Sequence, residues 1–76
     1  MDFYYILTEQ RIYTEDFCDI PTYGIAAKSR CSDEILSEFP DVSTNRNFVI
    51  RLIEILNSNA VELCHFYDVV TDELNR

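Results

Sequence analysis

Apolar and polar positions change their period halfway along the chain, and the change separates two kinds of structure. Phe3, Tyr5 and Leu7 alternate with Tyr4, Ile6 and Thr8, the two-residue period of a strand rich in aromatic and branched side chains. Ile12 and Tyr13 extend this segment, and Glu15-Asp16-Phe17-Cys18-Asp19 reads as a polar turn region. Thr22 to Arg30 predicts a second strand, with Pro21 just before it, where a missing N–H is tolerated. Two strands so connected make an antiparallel hairpin. Cys31 to Pro40 admits two readings, because Asp33-Glu34-Ile35-Leu36 fits either a short third strand or a helical turn.

Beyond Pro40 the period becomes helical. Ser43 precedes Thr44-Asn45-Arg46-Asn47 in an N-cap position. Val49, Leu52, Ile53 and Leu56 then fall at i, i+3, i+4 and i+7, with Phe48 and Ile55 widening the stripe. This predicts a helix over residues 43–57, broken by Asn57-Ser58-Asn59. A second helix is predicted over 62–75, with Leu63, Phe66, Tyr67, Val70 and Leu74 on one face. A two-stranded hairpin is marginal alone in water, so it must pack on these helices. The predicted fold is α+β: an antiparallel β-hairpin, with a short third strand left open, covered on one face by an antiparallel helical hairpin. Residues 1–76 form a single domain in which 3–31 are the hairpin half.

Thr22-Tyr23-Gly24-Ile25, then Asp41-Val42-Ser43 opening a helix, then His65-Phe66-Tyr67-Asp68-Val69-Val70 with Asp72 and Leu74 form a recognisable series. On these motifs, from Tyr5 onward, the chain resembles a family of small bacterial proteins known only as a domain of unknown function. The resemblance implies free-standing domains of similar length and lends no activity. Two features depart from the family pattern: Ser29 to Phe39 is longer than usual, and Glu62 stands where a helix-starting Pro is common.

Composition narrows the classes further. A hydrophobic content of 47% with five Tyr and five Phe suffices for a core and argues against disorder. Fourteen acidic and six basic side chains give a formal charge of −8. Such a surface repels nucleic-acid phosphates and anionic membranes and attracts basic surfaces. The same charge also serves solubility, a reading that needs no partner. Cys18, Cys31 and Cys64 are odd in number and lack a C-x-x-C spacing. Small secreted domains usually carry about two to four disulfides, so reduced thiols and a cytoplasmic location are expected. The start, Met1-Asp2-Phe3-Tyr4-Tyr5, lacks the basic opening of a signal peptide. No apolar run approaches the ~20 residues of a membrane span.

Candidate chemistry is sparse. His65, the single histidine, falls opposite the apolar stripe of the second helix together with Asp68 and Asp72. That arrangement is either a solvated polar face or a binding hot spot, with acid–base catalysis as the remote reading. Cys64 adjoins His65, but neighbours at i and i+1 diverge on a helix, and a nucleophilic thiol needs an electropositive setting. One His and three scattered Cys do not have zinc spacing, and the acidic groups lack a calcium-loop pattern. No catalytic, metal or cofactor site is therefore assigned. Gly24 is the single glycine, which excludes a phosphate-cradling loop; it marks a bulge or a close approach by a helix side chain. Tyr4, Tyr5, Tyr13 and Tyr23 invite base stacking, yet only Arg11, Lys28 and Arg30 accompany them, and charge decides against direct nucleic-acid binding. They fit core edges or partner-facing anchors better.

Two features suggest a binding surface. Ile50 lies on the polar side of the first helix between Arg46 and Glu54, where nothing in the monomer is expected to cover it. Acidic residues group as Glu15, Asp16 and Asp19; as Asp33, Glu34, Glu38 and Asp41; and as Glu62, Asp68, Asp72 and Glu73. If the middle group neighbours another in space, the surface presents closely spaced negative charge. Duplex DNA carries one charge per ~1.7 Å, and a protein imitating it occupies a basic groove. Small acidic inhibitors encoded by mobile elements, including inhibitors of RNA-guided nucleases, act in this way. The expected function is thus a non-catalytic regulator or inhibitor of a protein partner with a basic surface. The candidate partner-binding residues are Asp33, Glu34, Glu38, Ile50, Glu62, His65, Asp68 and Asp72. The alternative is a homodimeric or accessory domain whose charge serves only solubility.

Overall fold

The computed structural model describes residues 2–13 and 20–75. The polar turn expected at Glu15 to Asp19, with Cys18, lies outside them. Strand β1 (Phe3–Ile12) pairs antiparallel with β2 (Ile20–Ser29), and β2 pairs antiparallel with β3 (Ile35–Ser43). Helices α1 (Arg46–Ser58) and α2 (Leu63–Leu74) follow. The fold is α+β, a three-stranded sheet in the order β1-β2-β3 with two helices. Of the two readings of Cys31 to Pro40, the strand is the one adopted. It is nine residues long and continues through Asp41-Val42-Ser43.

Register decides which face becomes the core. Tyr5 lies opposite Ala27, Leu7 opposite Ile25, and Ile25 opposite Phe39. This parity puts Phe3, Tyr5 and Leu7 on the same face as Ile25, Ala27 and Phe39, and the helices pack there. Val49, Leu52 and Leu56 of α1 and Phe66 and Val70 of α2 are fully buried against it. Burying a side chain of this kind contributes roughly 1.5–3 kcal/mol.

Tyr5 joins sheet to helices at three points. Its backbone N–H donates to Asn57 Oδ1 at 2.9 Å, and its carbonyl accepts from Asn57 Nδ2 at 3.1 Å. The side-chain amide of α1 thereby occupies the free edge of β1. The Tyr5 ring packs 5.0 Å from Phe66, and its hydroxyl donates to Val61 O at 2.6 Å in the α1–α2 connection.

The same bonds explain Pro21, which lies inside β2 opposite Arg11 rather than before the strand. Because the Tyr5 N–H points away from β2, Tyr5↔Ala27 is a non-hydrogen-bonded pair. Ladder alternation makes Arg11↔Pro21 another. The Pro21 nitrogen therefore faces the β3 side, where pairing has already ended at Tyr23↔Ser43. No ladder bond is lost.

Gly24 sits at a bulge. Between Tyr23↔Ser43 and Ile25↔Phe39 the register shifts, so Pro40, Asp41 and Val42 stand against this one residue. A Cβ on Gly24 would lie 2.7 Å from Pro40 C and closer still to the carbonyl oxygens of Phe39 and Pro40. Of the two roles expected for this glycine, the bulge is correct, and strand backbone rather than a helix side chain approaches it. The bulged segment also brings the Asp41 carboxylate to the fully buried Thr22 hydroxyl, which donates to Asp41 Oδ1.

Helix α1 begins later than expected. Ser43, placed at the N-cap by sequence, ends β3, and its hydroxyl accepts from the Asn45 N–H at 3.0 Å. Asn45 is the N-cap, accepting from Phe48 N at 3.2 Å. Both residues suit a cap, and the bulge lets β3 extend far enough to claim Ser43. At the other end Ala60 adopts the left-handed region at φ 49°. The Ala60 N–H bonds Asn57 O and the Val61 N–H bonds Leu56 O, the pair of bonds of a Schellman closure that normally uses Gly.

The apolar stripes are narrower than their sequence pattern. Phe48 and Ile53 pack on the core, but Ile55 is exposed. On α2, Leu63 is partly buried while Tyr67 and Leu74 are 49% and 41% exposed. Ile55 and Leu74 are not among the residues packed on the core, whereas the Tyr67 ring lies on Phe39 of β3 with its outer side exposed.

Two substitutions test these backbone features. Gly24→Ala should destabilise the fold by about 1–3 kcal/mol or more, because strand backbone cannot yield as a flexible side chain does; urea unfolding measures it. Ala60→Gly should stabilise by about 1 kcal/mol by removing the left-handed strain, raising the melting temperature by about 4–8 °C. A melting temperature equal to or below that of the parent would contradict the assigned helix closure.

Candidate functional site

Among the described residues there is no pocket, so the sequence-assigned residues are surface positions. Tyr67 joins the two elements that carry Glu38, His65, Asp68 and Asp72. From α2 its hydroxyl donates to Glu38 O of β3 at 2.6 Å, and its ring lies 5.3 Å from Phe39. The bond ties α2 to the outer edge of β3 at the Glu38 backbone. Glu38, Asp68 and Asp72 are all exposed. Closely spaced charge was expected only if the middle acidic group neighbours another; the Glu38 side chain, across from Ala26, points to the sheet face opposite Phe39 and the helices.

The rest of the middle group separates from it. Asp33 and Glu34 belong to the β2–β3 turn, beyond the last sheet pair Lys28↔Ile35. At ~3.3 Å per residue, Glu34 stands about 13 Å along the chain from Glu38. Asp33 takes φ 60°, a conformation Asp tolerates better than most residues. It pairs with Lys28 at 4.0 Å, an exposed contact of little energetic weight. In the same turn the Ser29 hydroxyl accepts from the Cys31 and Ser32 N–H groups.

Ile50 is not left uncovered as expected. It is half-buried, although it is not among the apolar residues packed on the core.

His65 is exposed on α2, as are Asp68 and Asp72. Its surroundings differ from expectation. Glu62, Cys64 and His65 each offer one metal-ligand atom, and these atoms lie within 4.8 Å of one another. Cys64 and His65 were expected to diverge as helical neighbours, but they occupy the first turn. No preceding turn restricts their rotamers there, and Glu62 is the extended N-cap rather than a helical residue. The signal in the sequence was three different ligand types within four residues, Glu62 to His65. It is invisible when only Cys and His are counted. Asn57 was likewise read only as a helix breaker, although its amide holds the edge of β1.

Beside this cluster lies the Tyr5 hydroxyl. Burial, and then negative charge on Cys64, push its pKa above the ordinary 10.0. Arg30 lies over the Tyr4 ring at 4.9 Å, which assigns one of the tyrosines listed as anchors to a contact within the monomer.

A protein-family model described as a family of unknown function (DUF6514) matches residues 1–76. No curated protein and no solved structure matches the chain. No helix among the described residues is long and apolar enough to cross a membrane.

Tyr5→Phe isolates the hydroxyl. Losing the bond to Val61 O should cost about 1 kcal/mol in urea unfolding at neutral pH. Because the folded-state pKa is raised, the contribution of the hydroxyl is complete below pH 10.0 and is lost as pH rises through the folded value. The stability gap between parent and Tyr5→Phe should therefore shrink above about pH 10. A gap that stays constant to higher pH would contradict the buried hydroxyl.

Proposed function

We propose that this chain, which belongs to the DUF6514 family and takes no assigned activity from it, is a non-catalytic protein-binding domain. In this reading it is a small acidic regulator or inhibitor of a partner with a basic surface. The supporting observation is the Tyr67 ring, which is 49% exposed on the helix that carries the exposed Asp68 and Asp72 and is held in place by its hydroxyl bond to Glu38 O. Aromatic anchors with charged rims are the usual make-up of an interface. The formal charge of −8 selects the partner: attraction to a cationic surface speeds encounter and rejects acidic competitors. Nucleic-acid-handling proteins are the favoured class, because spaced carboxylates can occupy a groove built for phosphates. In this reading such partners and reduced thiols suit action in the cytoplasm.

A second reading rests on a different observation. Ile35 and Leu36, at 50% and 45% exposure, open the edge strand β3, and an apolar strand edge invites pairing with a second copy. A mass that rises with concentration in light scattering supports this homodimer, and a constant monomer mass removes it.

The binding reading is tested by capture from the native host followed by titration of the isolated partner. Raising salt from ~50 to ~200 mM should weaken the complex. Asp68→Lys combined with Asp72→Lys should slow association by about tenfold or more, and Glu38→Lys should add to the loss. Binding that ignores both salt and charge reversal would sink acidic recognition.

A further inference from the structure

We propose that the first turn of α2 is a zinc site, in which Glu62, Cys64 and His65 supply three ligands and water takes the fourth position. The residues are the right kind. Thiolate, imidazole and carboxylate together suit Zn²⁺, whereas Mg²⁺ and Ca²⁺ prefer oxygen alone. Three protein ligands with one open position form the pattern of an accessible zinc centre rather than a closed structural one.

Geometry supports the assignment. With Zn–S at about 2.3 Å and Zn–O or Zn–N at about 2.0–2.1 Å, a tetrahedral site has ligand–ligand edges of roughly 3.3–3.5 Å. Cys64 Sγ already lies 3.7 Å from Glu62 Oε2, and all three ligand atoms lie within 4.8 Å of one another. Closing the set needs movements of about an ångström in side chains that are all exposed. The backbone holds the turn in place, since the His65 N–H donates to Glu62 O at 3.0 Å. The Glu62 carboxylate is available as well. Although Glu62 occupies the N-cap, its side chain makes no capping bond to the helix.

Charge also balances. A thiolate and a carboxylate together neutralise Zn²⁺ at contact distance, and the chain as a whole, at −8, draws cations. The positive end of the α2 dipole opposes this, but with roughly half a charge against two formal charges. Metal binding would clamp the N-cap residue to its own helix and stiffen the α1–α2 connection that receives the Tyr5 hydroxyl.

The test uses the full reduced chain, without any partner, so its result is independent of the binding function proposed above. Zn²⁺ affinity is measured by competition with a chromogenic chelator. Co²⁺ replaces zinc as a spectroscopic probe, because thiolate ligation adds a charge-transfer band in the near ultraviolet. The expected result is one equivalent bound, a thiolate–cobalt band, and a melting temperature raised by Zn²⁺. Cys64→Ser should abolish the band, and Cys64→Ser and His65→Ala should each weaken zinc binding by at least about tenfold, the size of effect that even outer-shell partners carry. Cys18→Ser and Cys31→Ser should retain both band and affinity. Cobalt or zinc binding that survives Cys64→Ser, or that is lost in Cys31→Ser instead, would overturn the site.

Discussion

Much of this small fold depends on how the free edge of β1 is satisfied at Tyr5. An edge strand presents backbone groups with no ladder partner, and burying them unpaired would cost about 1–3 kcal/mol each. The Asn57 side chain meets both groups at once, which ties the last turn of α1 to one residue of β1. The Tyr5 ring and hydroxyl extend the tie to Phe66 and to Val61 O. A single strand residue thus touches the last turn of α1, the connection and the first turn of α2. The ligand cluster from Glu62 to His65 inherits its position from that junction.

The opposite edge of the sheet is handled by a bulge and a tyrosine. Gly24 lets the Pro40 backbone lie against β2, so β3 bends and delivers Asp41 to Thr22. Tyr67 then reaches from α2 to the Glu38 carbonyl. Both sheet edges are therefore covered by helix side chains, one by an amide and one by a phenol, and at these points neither edge is open to another strand. What stays exposed is the start of β3 at Ile35 and Leu36, where neither helix residue reaches.

The proposed function draws on how these constraints arrange the surface. Here α2 leans on β3 and holds a partly exposed ring on the helix that carries Asp68 and Asp72. The proposed zinc centre lies on the same helix, three residues before Asp68 at its nearest. A cation held there would lower the local negative charge next to the proposed binding surface. The two proposals therefore concern adjacent turns of one helix and remain separable by experiment.

Local patterns in the sequence determined the element types. Alternation from Phe3 to Thr8 marked β1, and the i, i+3, i+4 spacing from Val49 to Leu56 marked α1, because side-chain period follows directly from backbone geometry. The family was legible too, in short motifs from Thr22 to Leu74. Other features could only be decided by tertiary structure, since each depends on a partner far along the chain. β3 was ambiguous because two register shifts and Pro40 disguise its period, and only pairing with β2 stabilises it as a strand. Asn57 reads as a helix breaker until Tyr5 is placed opposite it, and Tyr67 reads as core until Glu38 is found at its hydroxyl. Periodicity reports which way a residue faces along its own element. What it then meets is set by packing, and packing decided both the partner of Tyr67 and the setting of the cluster at the start of α2.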